Sequence, residues 1–313
     1  ARVKKAVKSG RLIAEGSMWV EPDMNIASGE AIIRQCIHGK RFFKDEFGIE
    51  NELLWLPDVF GYSAALPQIL RGCAIKYFST SKIFWNYHGG ENFPFNSFWW
   101  EGIDGTRILA HLFDSYGGPG NSEAAIKRWS KRAQKSDISS LMFCFGFGDG
   151  GGGPIRDHIE SAARLADLEG CPRVKLAGPI EFFRALEKTG VPDARYVGEL
   201  YFQAHRGTYT SQSRTKRGNR KGEIALRETE MWGVAAMCLA RHRYPAMIMD
   251  ETWKTFLVNQ FHDILPGSSI SRVYDEAEAS FAAVIAQAGK VRDKAVASLV
   301  QKRASSITAF NSL

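Results

Sequence analysis

The regular alternation of short apolar runs with helical patterns constrains the fold of this sequence most. Strand-like runs lie at 12–14, 52–56, 77–80, 107–111 and 141–145. Helical patterns cover 28–46, 63–72, 122–135, 155–168 and 179–188. Strands that alternate with helices predict an α/β fold with a parallel sheet or barrel. In such folds, functional side chains follow the carboxyl ends of the strands.

The pattern changes after about residue 220. Three helical segments follow, at 222–243, 250–263 and 271–301, and Pro245 and the Pro266-Gly267 pair mark the turns between them. Apolar residues recur near helical spacing in the last segment. The second part of the chain is therefore predicted to be a bundle of three helices. From Ile307 onwards, the residues are typical of the beginning of a strand.

The composition excludes several classes of protein. The hydrophobic content of 44% is sufficient for a core, and no run of 18 apolar residues predicts a transmembrane helix. The net charge is +7, and the basic residues cluster only at 214–221. This cluster matches no nucleic-acid-binding motif and is more typical of a solvated surface.

The five cysteines form no Cys-x-x-Cys motif, and their number is odd. These features argue against a disulfide framework and against a thiolate zinc site, and they favour a reducing, cytoplasmic location. The sequence starts without Met, and both of its ends look cut. The absence of a targeting segment therefore carries little information.

Asp58 is the first candidate for chemistry because it follows a strand-like run and Pro57. It could be a catalytic carboxylate at a strand end, or the N-cap of the helix predicted at 63–72. The spacing alone does not decide between these roles. Ser63 is the better cap for that helix, which leaves Asp58 available for catalysis.

Asp149 lies in a glycine-rich loop after another strand-like run. The loop lacks the Gly-Lys-Ser/Thr sequence of a phosphate-binding loop. It could be a flexible turn with an exposed aspartate. A carboxylate at a strand end, opposite a second one, is better interpreted as half of an acid/base pair.

Further polar residues occur near the predicted turns. His262 and Asp263 precede the Pro266-Gly267 turn, where a histidine could cap a helix or bind a metal ion. The segment 205–212 could be a substrate loop or a linker. Asp23 lies in an acidic loop that looks exposed. Aromatic residues could stack on a sugar or fill the core: Trp55, Phe60, Trp85, Phe98, Trp99 and Trp100.

Five segments together resemble glycoside hydrolase family 38, the class II α-mannosidases: 55–70, 92–106, the loop at Asp149, 205–210 and 259–263. They span almost the whole chain, and the glycines after Asp149 resemble the cytosolic and bacterial branch. The resemblance implies an incomplete seven-stranded parallel (β/α) barrel over 1–215 and a three-helix bundle over 216–303. A β domain would then begin at 304–313.

The resemblance also implies a function. A protein of this family would be a zinc-dependent retaining α-mannosidase that releases terminal α-mannosyl residues from oligosaccharides. Asp58 would be both the nucleophile and a zinc ligand, and Asp149 would be the acid/base residue. His262 would be a second zinc ligand, and the remaining ligands are expected upstream of Ala1.

The predicted substrate-binding residues are Phe60, Tyr209, Asp263, Asp23 and Arg206. The predicted partner is an oligosaccharide with terminal α-mannose, without nucleic acid or membrane, and homo-oligomer formation is allowed. Two alternatives stay open. One is a zinc-dependent polysaccharide deacetylase. Such an enzyme would need a His-x-x-x-His pair on one face of a helix, and no two of the seven histidines lie four residues apart. The other is a truncated, inactive fragment that binds carbohydrate.

Overall fold

A computed structural model describes residues 1–85, 92–300 and 307–312. These residues divide into two compact units. Within the described ranges, the first unit contains the residues of 1–18 and 39–206, and the second contains those of 19–38 and from 207 onwards.

Apart from α1 at the start of the chain, the helices of the first unit agree in position with the sequence patterns, and their ends differ by up to four residues. They are α1 (Arg2–Lys8), the second half of α2 (Gly29–Phe47), α3 (Leu66–Gly72), α4 (Ser122–Lys131), α5 (Arg156–Arg164) and α6 (Pro179–Thr189). The largest differences are at α4, which ends at Lys131 and not at 135, and at α5, which ends at Arg164 and not at 168.

The sheet of the first unit has five strands: β1 (Leu53–Trp55), β2 (Tyr77–Thr80), β3 (Ser97–Glu101), β4 (Arg107–Leu112) and β5 (Arg195–Val197). Their order is β1-β2-β4-β3-β5, and only the pair β3–β4 is antiparallel. The α/β class is confirmed. The described residues nevertheless form a mixed five-stranded sheet, where seven parallel strands were expected.

The connection between β3 and β4 explains the antiparallel pair. Only residues 102–106 join the two strands, whereas a parallel crossover needs a dozen residues or more. Asp104 accepts hydrogen bonds from the backbone N–H and the hydroxyl of Thr106. Gly105 supplies the positive φ of +81° in this tight turn.

Three of the five predicted strands are confirmed, at β1, β2 and β4. The strands predicted at 12–14 and 141–145 are wrong. Near them, the structure has only isolated bridges, Gly16 with Leu54 and Gly118 with Gly146. At the second site, the N–H of Met142 donates to the ring of His111, so a side chain accepts the bond that a strand neighbour would take.

The sheet places Leu53, Tyr77 and Leu109 side by side in register. Phe183 and Leu186 of α6 pack against this face, and the Phe183 ring stacks on Tyr77 at 4.8 Å. The next residues along these three strands point to the opposite face and are also buried. Both faces are therefore covered, as expected for an α/β fold.

The second unit is helical. Its long helices are α7 (Ser213–Ala240), α8 (Ala246–Val258) and α9 (Ser271–Leu299), and residues 29–38 of α2 join them. They share one core, which includes Leu226, Trp253, Phe256, Phe281 and Val284. A Cβ atom at Gly222 would lie 2.4 Å from the Phe256 ring, so this glycine permits the close packing of α7 and α8.

The ends of these helices differ from the prediction. Helix α7 begins at Ser213, nine residues earlier than the pattern indicated, and α8 ends at Val258. His262 and Asp263 therefore lie in the turn after α8 and not at its last residues. In the predicted β domain at 304–313, residues 304–306 and 313 lie outside the described residues. Residues 307–312 contain no strand.

Two expectations from composition can be compared with the structure. Within the described ranges, no helix is long and apolar enough to cross a membrane. All five cysteines belong to the described part of the chain, and none of them forms a disulfide.

Candidate active site

Asp58 lies at the carboxyl edge of the sheet, three residues after β1. The backbone N–H of Leu56 donates to the carbonyl of Ser79 at 3.0 Å, which extends the pairing of β1 with β2 towards Asp58. The N-cap of α3 is Ala65, without a side-chain cap. Ser63 is thus not the cap that we expected, although its hydroxyl accepts from the Ala65 N–H at 3.2 Å. Asp58 is not the cap either.

Lys82 forms an ion pair with Asp58, and the distance from its Nζ to Asp58 Oδ1 is 2.5 Å. The lysine side chain is only 7% exposed and follows β2 at the same edge of the sheet. Its ammonium lies 3.7 Å from the centre of the Trp85 ring, a distance suited to a cation–π contact. Lys82 therefore places a buried positive charge on one side of the Asp58 carboxylate.

Tyr116 contacts the other side of that carboxylate. Its hydroxyl lies 2.8 Å from Asp149 Oδ1 and 3.4 Å from Asp58 Oδ2, so its single hydrogen is donated to Asp149 and is within reach of Asp58. Burial, the hydrogen bond with Asp149 and the nearby charge of Asp58 raise the pKa of Tyr116 well above its usual value. The hydroxyl therefore keeps its hydrogen over the physiological pH range.

The shared hydroxyl limits the distance between the two carboxylates. Asp58 Oδ2 and Asp149 Oδ1 cannot be farther apart than the sum of their distances to Tyr116 Oη. The limit applies to these two oxygens, and it is compatible with the roughly 5–5.5 Å between the carboxyl groups of retaining glycosidases.

Asp149 occupies an exposed loop with unusual backbone geometry. Its φ is +43°, and the flanking Gly148 and Gly150 have φ values of +68° and +72°. An aspartate tolerates the left-handed region better than most residues, and glycines on both sides of it allow three consecutive residues to have positive φ. The loop closes through the N–H groups of Phe147 and Gly148, which both donate to the carbonyl of Gly152.

The other two predicted site residues of the first unit are Phe60 and Arg206. Phe60 is buried, and its ring lies 4.6 Å from that of His205 and 5.8 Å from Lys82 Nζ. Phe60 therefore belongs to the surroundings of Asp58. Arg206 is exposed in the 3-10 segment Gln203–Tyr209, and its contact with a substrate stays a prediction.

In the second unit, Asp23 and His262 lie on two segments that pair with each other. The N–H of Asp23 donates to the carbonyl of Gln260, and the N–H of His262 donates to the carbonyl of Glu21. His262 Nδ1 also lies 3.0 Å from the Glu21 carbonyl. Since a carbonyl can only accept, Nδ1 carries the hydrogen of this contact, and in a neutral ring the lone pair is then on Nε2.

Asp263 and Tyr209 also belong to the second unit. Asp263 Oδ1 accepts from the Ser268 hydroxyl, and its Oδ2 lies 3.9 Å from His262 Nε2. The structure thus groups Asp263 with His262. Tyr209 is half-buried in the segment that precedes α7, and its role in substrate binding stays a prediction.

Asp23 was expected in an exposed loop, and this expectation is wrong. The residue is only 2% exposed, and its Oδ1 accepts from the N–H groups of Asn25 and Ile26. Burial raises the pKa of Asp23 above its usual value, against the effect of these bonds and of the nearby Lys216. The side chain therefore stabilises a buried turn.

The donors for a metal ion fit only in part. The tautomer of His262 suits a ligand, because metal-binding histidines commonly donate their other N–H to a carbonyl. In the part of the chain that the structure describes, however, no three His, Cys, Asp or Glu side chains form a group that could hold a metal. These residues do not make a complete zinc site.

Comparison with known proteins agrees with the sequence resemblance. The pattern described as Glycosyl hydrolases family 38 N-terminal domain matches residues 1–208, and that of the alpha mannosidase middle domain matches 203–299. The chain belongs to glycoside hydrolase family 38. This assignment confirms the family that the motifs indicated.

Relatives in the family are considerably longer than this chain. Alpha-mannosidase 2C1 of Homo sapiens is 42% identical over 282 residues, which are 88% of this chain and 27% of the human protein. An alpha-mannosidase of Saccharomyces cerevisiae is 36% identical over 286 residues, or 86% of this chain and 26% of the yeast protein. The chain spans about a quarter of the length of these relatives.

The crystal structure of an alpha-mannosidase from Enterococcus faecalis V583 has the same fold. Its TM-score is 0.78 at 23% identity, and the match covers 95% of this chain and 35% of the bacterial one. At this identity, the similarity supports the fold alone.

Sequence reasoning missed three side chains around the two carboxylates: Lys82, Tyr116 and Arg128. Lys82 and Tyr116 follow β2 and β4 at the carboxyl edge of the sheet. The rule that drew attention to Asp58 would have found both of them. Arg128 lies in the middle of α4 and contacts the loops through backbone carbonyls, so no motif marks it.

Proposed function

We propose that this chain is part of a retaining α-mannosidase, in which Asp58 is the nucleophile and Asp149 is the acid/base residue. The observation that carries the proposal is the single Tyr116 hydroxyl within reach of both carboxylates. It brings them together at a spacing compatible with the covalent intermediate of a retaining mechanism.

In the first step, Asp58 Oδ2 forms a bond to the anomeric carbon of the terminal mannose as the bond to the leaving oxygen breaks. The Asp149 carboxyl gives its proton to that oxygen, and the shortened oligosaccharide departs. A mannosyl ester on Asp58 results. In the second step, Asp149 accepts a proton from water, and the oxygen of that water displaces Asp58 and releases mannose.

The surrounding residues suit these steps. Lys82 holds Asp58 Oδ1, so the other oxygen faces Tyr116 and Asp149. The ring of Trp85 stacks on Tyr116, with centroids 6.0 Å apart. The substrate class, terminal α-mannosyl residues of oligosaccharides, comes from the names of the relatives.

Zinc dependence stays a prediction of the family resemblance. Asp58 and His262 would contribute carboxylate and imidazole donors, which zinc accepts, and zinc would supply Lewis-acid polarisation of sugar hydroxyls. Because the described residues do not complete a zinc site, the steps above use only side chains of this chain. Metal analysis of the purified chain, with His262→Ala as the comparison, tests the prediction directly.

Other finer expectations are proposals too. They are the seven-stranded barrel, the three-helix bundle, the boundaries at residues 215 and 303, the substrate contacts of Tyr209, Asp263 and Arg206, the cytoplasmic location and homo-oligomer formation. Limited proteolysis with mass spectrometry would test the boundary at 215. Cleavage near residue 215, in the first turn of α7, would agree with the boundary. Protection of the whole helix together with cleavage nearer 207 would contradict it.

Trapping of the covalent intermediate tests the proposed function. The full chain is incubated with a 5-fluoro α-mannosyl fluoride, and the modified peptide is identified by mass spectrometry. We expect the label on Asp58, its loss in Asp58→Asn, and its persistence in Asp45→Asn, which changes an exposed aspartate of α2. A label elsewhere would exclude Asp58 as the nucleophile. Absence of both labelling and turnover would favour an inactive, carbohydrate-binding fragment.

A further inference from the structure

Two chain segments carry the groups around the proposed acid/base residue. The segment after β4, residues 113–118, contains Tyr116, and the segment 142–146 leads into the loop of Asp149. They meet in an isolated bridge between Gly118 and Gly146, with N–H···O distances of 2.6 and 2.9 Å. Two hydrogen bonds outside a sheet give little stability by themselves.

Arg128 of α4 joins the same two segments. Its Nη1 donates to the carbonyl of Cys144 at 2.7 Å, and its Nη2 donates to the carbonyl of Gly117 at 2.5 Å. Its Nε lies 3.4 Å from Asp114 Oδ2. The guanidinium also lies 4.7 Å from the centre of the Phe143 ring. Each nitrogen of the group therefore has a partner on one of the two segments.

The burial and shape of this side chain make the contact specific. The Arg128 side chain is only 10% exposed, and a buried charge is costly unless it is well hydrogen-bonded. A guanidinium is planar and carries its donors in a fixed fork, so it can hold two carbonyls at a set spacing. A lysine could satisfy the charge but could not reproduce the fork.

Glycines bring the two segments close enough for this contact. A Cβ atom at Gly117 would lie 3.1 Å from the carbonyl oxygen of Phe147, and one at Gly118 would lie 3.1 Å from Arg128 Nη2. A Cβ atom at Gly148 would lie 3.2 Å from the Tyr116 ring. The backbone of one segment thus packs directly on the other, with Arg128 across their junction.

We propose that Arg128 is a positioning residue for Asp149. By holding the carbonyls of Gly117 and Cys144 together, it fixes the distance between the Tyr116 hydroxyl and the Asp149 carboxylate. This inference rests on the proposed function, because it assumes that Asp149 is the acid/base residue. The three nitrogens of Arg128 bind two carbonyls and Asp114, so its effect on Asp149 passes through the two segments.

A positioning role for the acid predicts a dependence on the leaving group. An alkyl mannoside needs a proton on its departing oxygen, whereas a dinitrophenolate leaves without one. Misplacement of Asp149 should therefore slow the first substrate and spare the second. A general loss of structure would affect both substrates to the same degree.

The experiment compares Arg128→Lys and Arg128→Ala with the wild-type full chain, on methyl α-mannoside and on 2,4-dinitrophenyl α-mannoside. For Arg128→Lys, we expect kcat/KM for the methyl mannoside to fall by about 10- to 100-fold, part of the 10²–10⁴-fold that a general acid contributes. For the dinitrophenyl mannoside, we expect the rate of dinitrophenolate release in the initial burst to change by less than about threefold, since this leaving group needs little acid assistance. The matched control is Lys131→Ala, an exposed basic residue of the same helix.

A second measurement does not depend on turnover. Amide hydrogen exchange at Gly118 and Gly146 should become about tenfold faster in Arg128→Lys, whereas amides of β2 and β4 should keep their wild-type rates. This result separates local loosening from unfolding. It also remains informative for Arg128→Ala if that variant is less stable.

The outcomes are distinct. Unchanged exchange at both glycines, or an equal loss on both substrates in an active enzyme, would overturn the role of Arg128 and leave the proposed function intact. A wild-type chain that hydrolyses neither mannoside would overturn the proposed function, and with it the catalytic meaning of the Arg128 contacts.

Discussion

The two carboxylates proposed for catalysis share Tyr116 as a partner but differ in what supports them. Asp58 follows a buried strand, and a buried lysine side chain pairs with it. Asp149 lies on an exposed glycine loop with a left-handed backbone, attached to the unit through a two-bond bridge and Arg128. The comparison indicates that the nucleophile needs a fixed position, whereas the acid/base residue needs access to both the leaving group and water.

Asp58→Asn should have the largest effect, because it removes the group that forms the covalent bond. We expect kcat/KM for every α-mannoside to fall by about 10⁴-fold or more. Steady-state assays with good and poor leaving groups check this, with Asp45→Asn as control. Residual turnover above about 1% of wild type would show that the strongly supported carboxylate is not the nucleophile.

Asp149→Ala should have the next largest effect, a loss of kcat/KM whose size depends on the leaving group of the substrate. We expect a fall of about 10²–10⁴-fold for methyl α-mannoside and a much smaller one for the dinitrophenyl substrate. Added azide should restore turnover and yield α-mannosyl azide, since azide needs no base to attack the ester. Asp193→Ala, at an exposed position, should behave as wild type. Equal losses on both substrates would remove the distinction between the two carboxylates.

Tyr116→Phe tests the hydroxyl that both carboxylates share. The loss of hydrogen bonds to charged groups costs about 1.5–3 kcal/mol, which corresponds to roughly a 10- to 100-fold fall in kcat/KM. Tyr201→Phe, at an exposed tyrosine, is the control. Because the pKa of Tyr116 is raised, its hydroxyl stays protonated beyond pH 10, and the wild-type pH profile should show no loss from its ionisation there. Full activity of Tyr116→Phe would contradict the role of the shared hydroxyl.

His111 makes the support of the Asp149 segment dependent on pH, which the support of Asp58 is not expected to share. It is fully buried, and its Nε2 accepts from the N–H of Met142, which anchors the segment that leads to Asp149. Burial lowers the pKa of His111 from 6.5 to about 3. Between pH 6.5 and about pH 3, His111 is therefore protonated in the unfolded chain but neutral in the folded one. The free energy of unfolding consequently decreases as the pH falls through this range.

The expected slope from His111 is about 1.4 kcal/mol of unfolding free energy per pH unit between these values. Denaturant titrations at several pH values measure it. His111→Gln should lack this part of the slope, and His242→Gln should keep it. An unchanged slope in His111→Gln would mean that another group causes the acid sensitivity.

Much of the fold followed from the sequence, because periodicity reports local structure. The runs at β1, β2 and β4 were found as strands, since each contains large apolar residues and is mostly buried on both faces. The strands β3 and β5 were not predicted, so the antiparallel pairing of β3 with β4 was missed as well. The segment 141–145 is apolar like a strand, but the His111 ring takes the hydrogen bond that would define one.

The candidate site was predictable only in part. Strand ends and motifs drew attention to Asp58 and Asp149, whose roles stay predictions. Lys82 follows β2 and could have been selected by the same strand-end rule, whereas Arg128 lies within α4 and depends on a contact 16 residues away in sequence. Asp23 shows the opposite error. An acidic loop looked exposed in the sequence, but Asp23 is buried. Its carboxylate can be buried because it accepts hydrogen bonds from two backbone N–H groups of the same turn.

The position of Trp85 has a practical consequence. Its indole lies against the Lys82 ammonium and stacks on Tyr116, so its excited state senses the charge and the hydration beside Asp58. The protein thus carries its own fluorophore next to the proposed nucleophile. Subtracting the emission spectrum of Trp85→Phe from that of the wild type would isolate the signal of this one indole. Sugar binding could then be followed optically without a label.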